Sequence, residues 1–120
     1  ASQKRHEAIL KELALTPSEE AEFWPLYESY SAEIQANFNQ SAEAAFRLYR
    51  NRGNVSDSVA DDYTSSLLNA ERRQADINLE YQTKFRKVLD ARKTARLFQF
   101  ERRLWVYMQS EILKEFPLVR

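Results

Sequence analysis

Few residues in this sequence could carry out chemistry. His6 is the only histidine and cysteine is absent, so the usual zinc and copper ligand sets cannot form. No Glu-x-x-His pair indicates a di-iron site, no glycine-rich loop could hold a phosphate, and no Gly-x-Ser-x-Gly motif marks a nucleophile. We therefore expect no enzyme activity, no metal and no cofactor, and we interpret His6 as a solvated helix residue.

The charged residues are segregated along the chain, although the formal net charge is zero. Glu12 to Glu43 contains seven carboxylates and no basic residue, whereas Lys84 to Arg103 contains eight basic residues and two acidic ones. These stretches could pair, within a chain or across a dimer, or the basic stretch could face outward and attract acidic or unfolded partners. No motif that reads DNA or RNA accompanies the basic residues, so we expect no nucleic-acid partner.

Glu101 stands out because it falls on the apolar side of the last predicted helix, near Leu97 and Trp105. A carboxylate buried there needs a partner, or its pKa rises. We expect Glu101 to form a structural pair with Arg47 or with a tyrosine hydroxyl.

Helices must position all of these residues, because one Gly and three Pro in 120 residues leave little material for hairpin turns. Thr16 is suited to cap a helix that begins at Pro17, and Glu19 completes a Thr-x-x-Glu capping box. Pro25 lies inside the same apolar pattern, so we expect a kink there; the alternative is that Pro25 ends the helix.

The apolar spacing predicts an all-α fold in one domain. A long antiparallel helical hairpin carries a short N-terminal helix and a C-terminal helix. Gly53 is predicted to end the second helix in a left-handed conformation, and Asp90 to cap the fourth. The predicted helices cover residues 3–14, 17–50, 57–89 and 91–116.

The predicted helix lengths indicate an elongated protein. At 1.5 Å per residue the long helices reach roughly 50 Å, whereas a compact domain of this size is only about 35 Å across. The chain is therefore expected to form a thin layer or to pair with a second copy. No apolar run approaches the length of a membrane span.

Two short motifs resemble a known family. Leu15-Thr16-Pro17-Ser18-Glu19 is similar to the Leu-Thr-x-x-Gln motif of the Spy/CpxP family of bacterial periplasmic proteins, with Glu19 at the Gln position. A second copy of that motif would fall on Leu89-Asp90-Ala91-Arg92-Lys93, with Lys93 at the Gln position. The block from Phe23 to Tyr30, which contains Trp24, Pro25 and Tyr27, also resembles small relatives of this family.

The resemblance implies a helical hairpin that dimerises into a thin curved cradle, and export to the periplasm. The first residues contain no hydrophobic signal core, so we expect that any signal peptide has been removed or lies outside this sequence. Members of the family include ATP-independent chaperones, which hold unfolded clients on a basic, partly apolar concave face, and modulators that bind a sensor kinase. A related branch senses nickel or cobalt through histidine-rich sites.

By this resemblance we expect a homodimer that acts as a holdase, or an interaction module with one envelope signalling partner. A role in metal stress is a further alternative. The residues expected to bind a client or partner are Arg92, Lys93, Arg96, Phe98, Arg103 and Trp105. Those expected to be structural are Leu15, Thr16, Pro17, Glu19, Trp24, Pro25, Tyr27, Asp90 and Glu101.

Overall fold

The structure of this protein is a computed structural model. It describes residues 2–120, without the side chain of Ser2, and in this part of the chain the fold consists of four helices. They are α1 (Ser2–Leu13), α2 (Pro17–Arg50), α3 (Asp57–Arg86) and α4 (Ala91–Leu113). No strand occurs in this part of the chain, so the predicted all-α class is confirmed. Along the same residues, no helix is both long enough and apolar enough to cross a membrane.

The chain turns sharply between α1 and α2. Ala14 adopts a left-handed backbone conformation with φ of 50°, which ends α1 in the manner of a C-cap. The hydroxyl of Thr16 then accepts from the backbone N–H of Glu19 at 3.2 Å, and the Glu19 carboxylate accepts from the N–H of Thr16 at 2.9 Å. Both halves of the capping box are therefore formed, and the side chain of Leu15 is buried.

Helix α2 passes through Pro25 without interruption. The alternative that Pro25 ends the helix is therefore wrong, and the kink stays a prediction. At its far end, Gly53 does not adopt a positive φ, so the predicted left-handed cap is also wrong. The side chain of Asn51 closes the end instead, because its amide donates to the carbonyl of Arg47 at 2.8 Å.

Helices α3 and α4 are both shorter than the sequence pattern predicts. After Arg86 the chain tightens into a turn in which the N–H of Val88 bonds to the carbonyl of Phe85 at 3.0 Å. Helix α4 ends at Leu113, with Lys114 as its C-cap. The predicted ends at residues 89 and 116 are wrong because the apolar pattern continues into these turns.

The chain forms two compact units, of which the first combines the described residues up to Glu28 with Gln82–Glu115. In this unit α1 packs against α4. Each large apolar side chain that is fully buried stabilises the fold by about 1.5–3 kcal/mol. Its largest fully buried side chains are Ile9, Leu13, Phe23, Tyr27, Phe85 and Leu97.

The second unit combines Ser29–Tyr81 with Phe116–Arg120. Here α2 and α3 run antiparallel and are joined by polar contacts. The hydroxyl of Tyr30 donates to Asn78 Oδ1 at 2.6 Å, and the amide of Asn37 donates to the carbonyl of Ala70 at 2.8 Å. The predicted helical hairpin is therefore present within this unit.

Candidate interaction surface on the fourth helix

Helix α4 presents two different sides. Thr94 and Leu97 are buried on the side that packs in the first unit. Val106 and Tyr107 lie on the opposite side and are 54% and 62% exposed. The apolar residues of α4 thus divide between a packed side and an exposed one.

The exposed side carries two adjoining shallow depressions. Gln99 and Arg103 line both of them, so the depressions form one continuous surface along the helix, which we call the α4 surface. Its central row, Gln99, Arg103, Val106 and Ser110, recurs every three or four positions, as one side of a helix requires, and the other lining residues flank this row. The residues of α4 that line the surface are Arg96, Gln99, Phe100, Arg102, Arg103, Leu104, Val106, Tyr107 and Ser110, with Glu12 of α1 at one end.

This surface combines positive charge with apolar area. The guanidinium groups of Arg102 and Arg103 can each bind a carboxylate through two parallel hydrogen bonds. Val106 and Tyr107 beside them offer apolar contact area to a partner. The arrangement can therefore bind a polypeptide that carries both acidic and apolar side chains.

Of the four basic residues predicted to bind a partner, Arg96 and Arg103 lie on the α4 surface. Arg96 also donates to the backbone carbonyl of Glu12 at 3.1 Å, which satisfies an orphan carbonyl near the end of α1. Arg92 is exposed but does not line the surface.

Lys93 makes a structural contact within the first unit. Its ammonium group donates to Glu19 Oε1 at 2.7 Å and to the carbonyl of Ala14 at 3.0 Å. The contact joins the start of α4 to the turn between α1 and α2. Lys93, together with the N–H of Thr16, holds the pKa of Glu19 below its usual range. The two residues that stand at the Gln positions of the Leu-Thr-x-x-Gln pattern thus pair with each other.

The start of α4 is capped as the sequence predicts. The Asp90 carboxylate accepts from the backbone N–H of Lys93 at 2.7 Å. The hydroxyl of buried Thr94 donates to the carbonyl of Asp90 at 2.9 Å. These contacts fix the first turn of the helix that presents the α4 surface.

The two predicted aromatic contacts lie on the packed side of α4. The ring of Phe98 contacts that of Phe85 at a centroid distance of 6.1 Å, and both Phe98 and Trp105 are partly buried. Phe100, Val106 and Tyr107 lie on the α4 surface instead. Residue type alone does not show which aromatic side chains of α4 are exposed. The spacing of three or four positions between Gln99, Arg103, Val106 and Ser110 does indicate the exposed side of the helix.

Glu101 has the tyrosine partner that the sequence predicts. The hydroxyl of Tyr27 donates to Glu101 Oε1 at 2.5 Å. Burial raises the pKa of Glu101, while the Tyr27 hydroxyl and the charge of Arg5 act in the opposite direction. The alternative prediction, that Glu101 pairs with Arg47, is wrong, because the guanidinium of Arg47 pairs with Asp62 at 2.6 Å.

His6 lies beside this pair. Its ring is 4.5 Å from that of Trp24 and 6.2 Å from that of Tyr27. The indole N–H of Trp24 donates in turn to Glu20 at 3.3 Å. The interpretation of His6 as a solvated residue is therefore wrong, because its ring packs against aromatic side chains.

Within residues 2–120, no group of three or more His, Asp or Glu side chains is arranged to hold a metal ion. The contacts described here fix the helix that carries the α4 surface, and the surface itself is open. No protein-family model, no curated protein and no solved structure matches the chain.

Proposed function

We propose that this chain is a non-enzymatic, Spy/CpxP-like periplasmic protein that works as an ATP-independent holdase for unfolded or acidic clients. In this proposal the chain forms a homodimer with a curved cradle, and the α4 surface is the client-binding face.

The observation that carries the proposal is the close mixture of exposed arginines and exposed apolar side chains on one rigid helix. Arg102 and Arg103 attract a client through its negative charge, an interaction that salt screens over about 8–10 Å. Val106 and Tyr107 then cover apolar segments that an unfolded chain leaves in contact with water. A surface of this kind binds many sequences weakly, which is what a holdase requires.

Two contacts at the motif positions support the family assignment. The first motif forms a complete capping box at Thr16 and Glu19, and the second forms the cap at Asp90. The ion pair between Glu19 and Lys93 joins the two motifs. The charged residues at the two Gln positions of the motifs therefore pair with each other.

Aggregation suppression tests the charge part of the proposal. A chemically unfolded client is diluted with stoichiometric protein at low and high salt, and light scattering is followed. We expect suppression that weakens with salt and is lost in Arg102→Glu/Arg103→Glu. The matched control is Arg72→Glu/Lys87→Glu, which makes the same charge change at exposed positions outside the α4 surface and should leave suppression intact.

A second pair of variants tests the apolar part. Val106→Ser/Tyr107→Ser should weaken suppression at every salt concentration, because it removes apolar area without changing charge. The control is Leu68→Ser/Leu79→Ser, which removes comparable exposed side chains from α3. Absence of suppression by the wild-type protein at several-fold excess would overturn the holdase proposal.

A second candidate function is an interaction module that regulates envelope signalling. It is favoured by Glu12, whose position beside Arg96 and Arg103 gives one end of the α4 surface mixed charge. Such an end suits one defined partner better than many unfolded clients. A protein of this kind would not suppress aggregation, and Glu12→Lys would abolish capture of its single folded partner.

A further inference from the structure

A second aromatic surface lies in the other unit, where the chain contacts itself. After α4 the chain leaves the helix, and the ring of Phe116 packs 5.5 Å from Tyr49 and 6.2 Å from Phe46 by centroid distance. Phe46 and Tyr49 are one turn apart on α2, so their rings lie on the same side of the helix. Phe46 remains 54% exposed even with Phe116 in place.

Arg52 holds one wall of this surface in position. Its guanidinium carbon lies 4.2 Å from the centroid of the Tyr49 ring, and the same group donates to the carbonyl of Tyr49 at 3.0 Å. The cation over the ring and the hydrogen bond together restrict the rotamers of both side chains. The ring of Tyr49 is therefore already placed when an aromatic partner arrives, which lowers the ordering cost of binding.

The segment that fills this surface resembles a bound peptide. Pro117 has no N–H to donate and biases Phe116 toward an extended conformation. Leu118 and Val119 beyond it are 79% and 51% exposed, so Phe116 contacts α2 through its ring while the next residues remain in solvent. Release of the tail therefore exposes few additional apolar atoms besides the rings.

We propose that Phe46 and Tyr49 form a peptide-docking site for an extended segment with an aromatic residue followed by aliphatic ones, and that Phe116 is its built-in competitor. The chain's own tail covers the site, and an incoming segment binds only when the tail leaves. The site is separate from the α4 surface, so this inference stands or falls independently of the holdase proposal.

The occluding tail lowers the apparent affinity for an incoming peptide in proportion to the fraction of molecules in which the site is open. Two aromatic contacts favour the closed form by roughly tenfold. Removing the Phe116 ring should therefore strengthen binding of an added peptide by about the same factor.

The experiment measures fluorescence anisotropy of a labelled peptide with the sequence of residues 114–120, Lys-Glu-Phe-Pro-Leu-Val-Arg. We expect Phe116→Ala to bind it about tenfold more tightly than the wild-type protein. Phe46→Ala/Tyr49→Ala, introduced into the Phe116→Ala background, should abolish binding while the circular dichroism spectrum stays helical. The same peptide with Ala in place of Phe is the ligand control and should not bind.

Two results would overturn the proposal. Equal affinity of the wild-type protein and Phe116→Ala would show that the tail does not compete. Absence of binding by Phe116→Ala at millimolar peptide would show that the ring contacts do not make a docking site. Since both measurements use a defined peptide, failure of aggregation suppression has no bearing on either.

Discussion

Glu101, a buried carboxylate that accepts from a tyrosine hydroxyl, contributes to the pH dependence of the stability of the first unit. Its pKa in the folded protein is raised above the ordinary value of 4.5, first because of burial. The folded protein therefore holds the proton more tightly than the unfolded chain does. Lowering the pH from above the folded pKa toward 4.5 must then increase the free energy of unfolding.

We predict that Glu101→Gln removes this increase, because glutamine is neutral at every pH and can still accept from Tyr27. Urea unfolding followed by tryptophan fluorescence at pH 5, 6, 7 and 8 measures the effect. The wild-type protein should gain stability relative to the variant on acidification, by at most about 1.4 kcal/mol per pH unit, the limit for one proton. Tyr27→Phe should extend this gain to higher pH, because the lost hydroxyl acted to lower the pKa of Glu101. Parallel curves for Glu101→Gln and the wild-type protein would contradict the prediction.

The pair between Glu19 and Lys93 leads to a second prediction at the residue scale. Glu19→Gln and Lys93→Gln should each lower the midpoint of thermal unfolding, because each leaves one charged group without its partner. The double variant, which places Gln at the last position of both motifs, should lose less than the sum of the two single variants. Additive losses in the thermal midpoints would show that the contact does not couple the two residues.

Some of these residue contacts can be predicted from the sequence and others cannot. Glu101 is identifiable because it interrupts an apolar helix face, and a nearby tyrosine is a reasonable donor. The contact between Glu19 and Lys93 joins residues 74 positions apart, and no local pattern distinguishes Lys93 from its basic neighbours. The contact between the rings of His6 and Trp24 also joins residues from different helices, α1 and α2, and no local pattern indicates it.

At the scale of elements, the hairpin of the second unit is built differently from the first unit. Its buried apolar side chains are supplemented by paired polar groups between α2 and α3. The hydroxyl of Tyr81 also donates to Glu33, and burial together with this contact raises the pKa of Tyr81 to about 12. Asn37 is 6% exposed, so its hydrogen bond is made in a largely dry setting.

We predict that Asn37→Ala lowers the free energy of unfolding by about 1 kcal/mol, because it removes a buried hydrogen bond to the carbonyl of Ala70, which still accepts a hydrogen bond within α3. Asn39→Ala is the matched control, because Asn39 is exposed and its side chain accepts a hydrogen bond from Gln35 on the same helix. A surface substitution of this kind changes the free energy of unfolding by no more than about 0.5 kcal/mol. Urea unfolding followed by circular dichroism distinguishes the two variants. Equal losses of unfolding free energy in the two variants would contradict the prediction that the buried hydrogen bond of Asn37 stabilises the hairpin.

The helix starts could be predicted from the sequence more accurately than the helix ends. Thr16 with Glu19 and Asp90 are local signals, and each forms the predicted cap. The ends of α3 and α4 lie within apolar patterns that continue into turns, so the pattern alone extends them too far. Gly53 was misleading because the side chain of Asn51 closes the helix without a left-handed residue.

For the whole molecule, zero net charge conceals exposed carboxylates on α2 and exposed arginines on α4. Glu22, Glu28 and Glu43 are exposed, as are Arg102 and Arg103. If the proposed homodimer brings the α2 carboxylates against exposed basic residues outside the α4 surface, such as Arg92, its dissociation constant must rise with ionic strength, while Arg102 and Arg103 stay available to a client. The sequence shows this segregation directly. A surface that binds by mixed charge and apolar area needs no fixed motif, so the sequence alone cannot identify its partner.

We predict a dimer whose dissociation constant, measured by sedimentation equilibrium, increases at least several-fold between 50 mM and 500 mM salt. Glu22→Lys/Glu28→Lys should weaken the dimer at low salt, and the exposed pair Asp57→Lys/Glu71→Lys on α3 serves as a charge-matched control. A protein that remains monomeric at all salt concentrations, or a dimer unaffected by salt, would contradict this assembly.

The polar contacts of the hairpin fix the register of α2 against α3. Each one joins a single residue of one helix to a single residue of the other, so sliding the helices by one turn, about 5.4 Å, would break these hydrogen bonds together. Two helices that contact each other only through apolar side chains can pack in several such slipped alignments. The paired polar groups of α2 and α3 favour one alignment over the others. A turn inserted into one helix between these contacts must therefore be matched by a turn inserted into the other helix, or the hydrogen bonds on one side of the insertion are lost.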